Sequence, residues 1–359
     1  MSFHADLDNL TRDLHDATWE EEYMKKNPIT ALLLERKDMS FSGGHKYTRK
    51  VDTGTHESLV QDYEVNDTLT HGVVDSTAEI TFHRKKFQCP VQIDVDEELE
   101  NARQTPDGTQ LHNMAKWRVK KANEAVRIHL RELIYRRTGH AKAASDSNKY
   151  MQGLNSALTV DSTYGGVTRT YASGISSDVG FWFQPMGGTK TTTVQSTTAA
   201  AISISWLRSI LEPLEGLERD NADIITLVGG DLWLALQAEA EARSMPYTIE
   251  KNRTTRQGFT EMILDGRRVV KDPFLCAANN TIYGLTSAAA GALERRLYCL
   301  DLNAWDFFIH PEYNFKMTEF FDQKKIANGS DFKLARVMFA GNLVCWHPSS
   351  QVMYENVTT

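Results

Sequence analysis

Five histidines, His83, His112, His129, His310 and His347, stand singly among charged or strand-forming residues, and no H-E-x-x-H pair joins two of them on one helix face. Cys89, Cys276, Cys299 and Cys345 lie far apart with no Cys-x-x-Cys pair, so neither a zinc site nor a disulfide framework is indicated. Gly229-Gly230, between the β-branched run Ile224 to Val228 and a helical pattern through Leu232, Leu236 and Ala240, has the order of a phosphate cradle. It lacks the G-x-x-x-x-G-K-[ST] or G-x-G-x-x-G spacing that would aim amides at a phosphate. Nucleophile elbows and EF-hand loops are also missing. The expectation is a chain with no catalytic set, no metal and no cofactor.

The chemistry that remains is electrostatic, and it sits on one element. Leu111, Ala115, Val119, Ala122, Val126, Leu130 and Leu133 recur at alternating four- and three-residue steps, which predicts one amphipathic helix over 109–137. At ~1.5 Å per residue it would run roughly 43 Å, the length of a beam. Asp107, Gly108 and Thr109 offer capping groups at its start and Thr138-Gly139 a stop at its end. Away from the apolar stripe lie Lys116, Arg118, Lys120, Lys121, Arg127, Arg131, Arg136 and Arg137, eight bases against only Glu124 and Glu132. Such a face is either solvated or suited to acidic protein or a polyanion.

The rest of the chain must position that beam. Its 359 residues carry 40 basic and 47 acidic side chains, a net charge of −7, with 41% hydrophobic residues, enough for one large core or two moderate ones. The amino-terminal residues are acidic and polar, unlike a secretory leader, and no apolar run approaches the ~18 residues of a membrane span. A cytoplasmic protein is expected.

Residues 1–40 hold nine acids and five bases, with Leu7, Leu10, Leu14 and Trp19 at roughly helical spacing. Pro28 stops that pattern, and Ile29, Leu32, Leu33 and Leu34 then form an apolar knot that must pack on the body or on a neighbour. Residues 41–79 are polar, with three bases and seven acids, and predict an extended excursion. Ile80 and Phe82, then Phe87, Cys89, Val91, Ile93 and Val95, alternate as a strand pair would. After the beam, residues 140–149 read as a small-residue linker, and 153–198 as an irregular Gly/Thr/Ser segment anchored by Phe181-Trp182-Phe183. A helix over 199–219, kinked or shortened by Pro213, precedes strands at 224–228, 267–270, 281–285, 298–302, 306–310 and 336–346, the last apolar enough to be central.

Taken in order, an acidic arm, a polar excursion, a strand pair, a beam helix, a Gly-rich insert and a terminal strand set resemble the major capsid proteins of tailed bacteriophages, which share the Hong-Kong-97-type shell fold. GLNSAL at Gly153 to Leu158, TYGGVTRTYA from Thr163, Phe181 to Gln184, DGRRVVKDP from Asp265, and HPEYNFKMTEFFDQ followed by ARVMFAGNLVCW carry the likeness locally.

The resemblance implies an α+β subunit with an N-arm (1–40), an E-loop (41–79), a P-domain (80–150 with 305–359) carrying a spine helix at 109–137, and an A-domain (151–304). It implies self-assembly into hexamers and pentamers of an icosahedral head around double-stranded DNA, held non-specifically. Virion location, assembly in the host cytoplasm, a separate scaffolding protein, a portal and decoration proteins follow as expected partners and place. Assembly contacts are expected at Leu32, Leu33, Leu34, Lys46, Lys50, Lys116, Lys120, Arg127 and Arg131. Lys46 and Lys50 fall in the loop from which some family members cross-link, but no motif marks a partner Asn or a catalytic Glu, and no cross-link is assigned. Two other readings are a nanocompartment shell of encapsulin type and a soluble α/β enzyme.

Overall fold

The structure, a computed structural model, describes residues 28–38, 44, 46–52, 60–64, 68, 72, 77–94, 109–135, 150–158, 163–168, 200–215, 223–243, 247–251, 260–264, 267–283, 292–322 and 332–358. Helix α1 (Pro28–Glu35) opens on a proline, whose missing N–H is harmless at a helix start. It buries Ile29, Leu32 and Leu33 almost completely and leads into β1 (Lys37–Asp38). Strands β2 (Lys46–Asp52) and β3 (Thr77–His83) pair antiparallel from Lys46↔His83 to Asp52↔Thr77, closing the base of the excursion. Arg84 alone separates β3 from β4 (Lys85–Asp94). The beam is α2 (Thr109–Ile134); its expected caps at 107–108 and 138–139 lie outside the described residues.

Beyond it come α3 (Leu154–Leu158), the small hairpin β5 (Thr163–Tyr164) and β6 (Val167–Thr168), then β7 (Ala200–Ala201) and α4 (Ile204–Glu215). The α/β stretch contains β8 (Ile224–Val228), α5 (Gly230–Ala242), β9 (Tyr247–Lys251), β10 (Thr260–Leu264) and β11 (Arg267–Lys271). Seven strands finish the chain: β12 (Leu297–Asp301), β13 (Trp305–Ile309), β14 (Lys316–Met317), β15 (Phe321–Asp322), β16 (Phe332–Cys345), β17 (Val352–Tyr354) and β18 (Val357–Thr358).

Two six-stranded sheets result. The first is organised on β16, which pairs with β4 along one side, from Phe332↔Asp94 to Gly341↔Lys85, and on its other side with β15, β14 and β13 in turn. That central place explains why its second half is apolar on both faces. The beam packs over β4 and β16. The second sheet runs β17-β12-β8-β11-β10-β9, with only β8 and β11 parallel. Strand alternation gives it two buried faces: Ile225 and Leu227 join the core under the beam, whereas Val228, Val269 and Met262 join a second core covered by α4 and α5.

Several expectations are corrected. β3 and β4 do not pair, because one residue is too short to turn a hairpin; each finds a partner distant in sequence. The strand expected at 281–285 is replaced over Ala277–Tyr283 by 3₁₀ turns. There Asn279 Nδ2 donates to the Phe274 carbonyl at 2.8 Å and Asn280 Oδ1 accepts from the Leu293 N–H at 2.8 Å, side-chain bonds that compete with a ladder. The last strands do not pair within the β16 sheet: β17 pairs with β12 and β18 with β7. Helix α4 is shorter than expected and ends two residues after Pro213.

Candidate functional site

Three parts of the surface and core bear on the expected residues. In the first, alternation along β2 turns Tyr47 and Arg49 toward the body and Lys46, Thr48 and Lys50 away from it. The Tyr47 ring stacks on Phe308 at 4.0 Å between centroids, and the Arg49 guanidinium lies 5.0 Å from the Trp346 ring centre. Across the ladder, Ile80 and Phe82 are buried, and Phe82 packs edge-on against Tyr164 and Trp346. The β5–β6 turn holds this packing from below. Gly165 and Gly166 have φ of +60° and +87°, the pair of left-handed residues that a two-residue hairpin turn favours. The Gly165 carbonyl accepts from the Thr81 N–H at 2.8 Å, and a Cβ there would lie 2.1 Å from Ile80. The hairpin base is thus clamped on one face, while Lys46 and Lys50 remain exposed on the other, Lys50 opposite Glu79 in the register.

The second part is the beam. Val119, Ala122, Val126, Leu130 and Leu133 are buried, the register that their spacing predicts. The cations divide. Lys120 and Lys121 are exposed, and Lys121 pairs with Glu124 at 3.1 Å. Arg127, its side chain only 13% exposed, lies 3.9 Å from Glu124. Arg131 is half-buried, with its guanidinium 4.5 Å from the Phe274 ring centre. Arg118 donates to the Gln92 carbonyl on β4. Arg127 and Arg131 are therefore tied into the subunit, and the free positive face is narrower than the sequence suggests. Lys116 lies on the same helix, its side chain outside the described residues. Trp117, 58% exposed, and Ile128, 39% exposed, share the outer face; helical period alone would have found them, since they stand off the buried stripe.

The third part is a polar joint where the beam ends. Tyr135 turns inward, its hydroxyl donating to Asp272 Oδ2 at 2.5 Å and its ring stacking on Phe274. Asn155 Nδ2 donates to the Tyr135 carbonyl at 2.6 Å, and the Tyr298 hydroxyl donates to Asn155 Oδ1 at 2.9 Å. Burial pushes the Asp272 carboxyl up, against the pull of the Tyr135 bond, the Phe274 N–H and the Arg131 charge. The joint locks α2, α3, β11 and β12 together. Cys299, buried nearby on β12, has its thiol pushed up to about 12 by desolvation and is inert.

Leu32, Leu33 and Leu34 are buried in the chain's own core, where α1 packs beside β13 and β1 extends the first sheet through Lys37↔Phe307. Arg36 fixes this arm to the other sheet by pairing with Asp223 at 2.9 Å. Gly229 has no room for a side chain: a Cβ would lie 2.4 Å from the Leu275 carbonyl, so the close approach of two backbones explains the glycine there. Among the described residues no three His, Cys, Asp or Glu side chains gather as a metal site, and no helix is long and apolar enough to cross a membrane. Phe181 to Pro185 lie outside the described residues.

Neither a family model nor a curated protein matches the chain by sequence. Solved structures match it by shape. A chain of the cyanophage A-1(L) capsid asymmetric unit superposes with a TM-score of 0.55 over 93% of this chain and 93% of its own, at 14% identity. This chain has the Hong-Kong-97-type capsid fold. A chain of the SrpI encapsulin complex from Synechococcus elongatus gives a TM-score of 0.48 over 90% of this chain and 86% of its own at 12% identity, and Gordonia phage Cozz 0.46 over 93% and 87% at 12%. By the expected assignment the beam is the spine helix and the β2–β3 hairpin the base of the E-loop.

Proposed function

We infer that this chain is the major capsid subunit of a tailed phage, a structural and non-catalytic protein that assembles into hexamers and pentamers of an icosahedral head around double-stranded DNA. The observation that carries this reading is the match of fold over 93% of both chains with a phage capsid subunit. The E-loop base supports it: the hairpin is anchored on one face only, and Val60 and Tyr63 beyond it are 77% and 71% exposed. Large apolar groups left in water are explained when a neighbouring copy covers them.

In this reading residues 1–40 are the N-arm, 41–79 the E-loop, 80–150 with 305–359 the P-domain, and 151–304 the A-domain. Leu32, Leu33 and Leu34 serve assembly by anchoring the arm, and Lys46, Lys50, Lys116 and Lys120 by meeting the neighbour. Arg127 and Arg131 act indirectly, by stiffening the spine helix. A scaffolding protein, a portal and decoration proteins complete the virion, whose shell forms in the host cytoplasm.

Electron microscopy of the purified protein tests the reading. Closed shells with six- and five-fold clusters are expected, whereas a stable monomer or small oligomer under all conditions would overturn it. Shells that enclose a specific protein cargo, in cells that also carry packaging genes, would point to a nanocompartment instead.

A further inference from the structure

The outer row of the spine helix carries a feature that the shell reading leaves unused. Trp117, Lys121, Ala125 and Ile128 follow one another at four-, four- and three-residue steps, so they lie in one line about 16 Å long. All four are exposed, and the small Ala125 leaves a notch between the large apolar groups at either end. Lys120 flanks the line in solvent, and Arg118 and Arg127 border it. From 116 to 128 the helix has five bases and one acid.

The chain holds a segment with the opposite character. Residues 1–27 contain seven acids and three bases, and Leu7, Leu10 and Leu14 recur at the spacing of one helix face. Their charges complement the cations around the row, and their leucines complement its apolar ends. Reach is not limiting. The 27 residues before Pro28, extended at ~3.3 Å each, would span up to about 90 Å, well beyond the ~16 Å length of the row.

We propose that the Trp117–Ile128 row of the spine helix is the docking site for the acidic segment 1–27, supplied by the same or an adjacent copy of this chain. This deepens the capsid reading and rests on it. Trp117 is the anchor at one end of the row, since a large aromatic side chain covered by a partner contributes more than the exposed charges around it. The lysines set direction and encounter rate.

Photo-crosslinking in the full-length chain tests the proposal. With p-benzoylphenylalanine in place of Leu10, irradiation under assembly conditions should yield adducts that map to residues 117–128. Trp117→Ala combined with Ile128→Ala should lower that yield about tenfold, equivalent to ~1.4 kcal/mol, with unchanged melting because both side chains are exposed. Leu234→Ala, which removes an exposed apolar group on α5, should leave the yield unaltered. Mixing isotopically heavy and light chains then separates self from neighbour. Adducts that map elsewhere, or a yield indifferent to the double substitution, would overturn the docking. So would adducts from a photoprobe at residue 117 to nucleic acid in place of residues 1–27. Micrographs of the same samples keep the two claims apart: normal shells without the adduct refute the docking alone, and the adduct without shells refutes the capsid reading alone.

Discussion

The E-loop base and the joint at the end of the spine helix are both held by aromatic side chains, yet they are finished in opposite ways. At the joint, Tyr135, Asn155, Asp272 and Tyr298 are buried on every side and joined by hydrogen bonds at 2.5, 2.6 and 2.9 Å. At the hairpin, Tyr47, Ile80 and Phe82 face the body, while Lys46, Thr48 and Lys50 face water. A region satisfied within one chain sets subunit stability. A region satisfied on one face leaves the other for a neighbour, so its changes should appear in assembly and not in melting.

The largest effect should come from the buried face of the spine helix, on which both regions depend. Leu130→Asp places an unpaired carboxylate in a fully buried position, at a loss of several kcal/mol, and should abolish the soluble subunit. A soluble variant with a normal melting curve would contradict the register. Next is Tyr135→Phe, which takes the hydroxyl donor from Asp272 and should lower stability by about 1–3 kcal/mol in denaturant titration while assembly of the folded fraction persists.

The joint also predicts a pH dependence. Burial raises the folded-state pKa of Asp272 above its unfolded value, so the folded chain holds that proton more tightly. This contribution is full below the unfolded pKa of about 4 and is lost as pH rises through the folded pKa. Asp272→Asn keeps an acceptor for Tyr135 and should flatten the fall of melting temperature above about pH 4; parallel curves for the two proteins would refute it.

At the hairpin the order of effects reverses. Reversing Lys46 and Lys50 to Glu should change melting by no more than about 0.5 kcal/mol yet slow shell formation in light scattering. Reversal of Lys116, Lys120 and Lys121 on the spine helix should act likewise, whereas including Arg127 would also disturb the fold, because its side chain is largely covered. The smallest effect is that of Lys50→Ala alone, since one exposed pair contributes ~0–1 kcal/mol. Added salt should slow assembly as the Debye length falls from ~10 Å toward ~3 Å and spare finished shells.

The sequence by itself determined what is periodic. The buried stripe from Val119 to Leu133, the one-sided β4, the long central β16 and the strand–Gly-Gly–helix unit at 224–242 could be read because each residue's exposure follows from its own helix or strand. Only the tertiary structure decided partnership. Nothing local says that β3 turns to β2 and β4 to β16, that β17 joins the second sheet while β18 pairs with β7, or that Arg131 ends over Phe274. Periodicity records the geometry of one element, whereas the partner that covers each face is chosen by contacts between residues hundreds of positions apart.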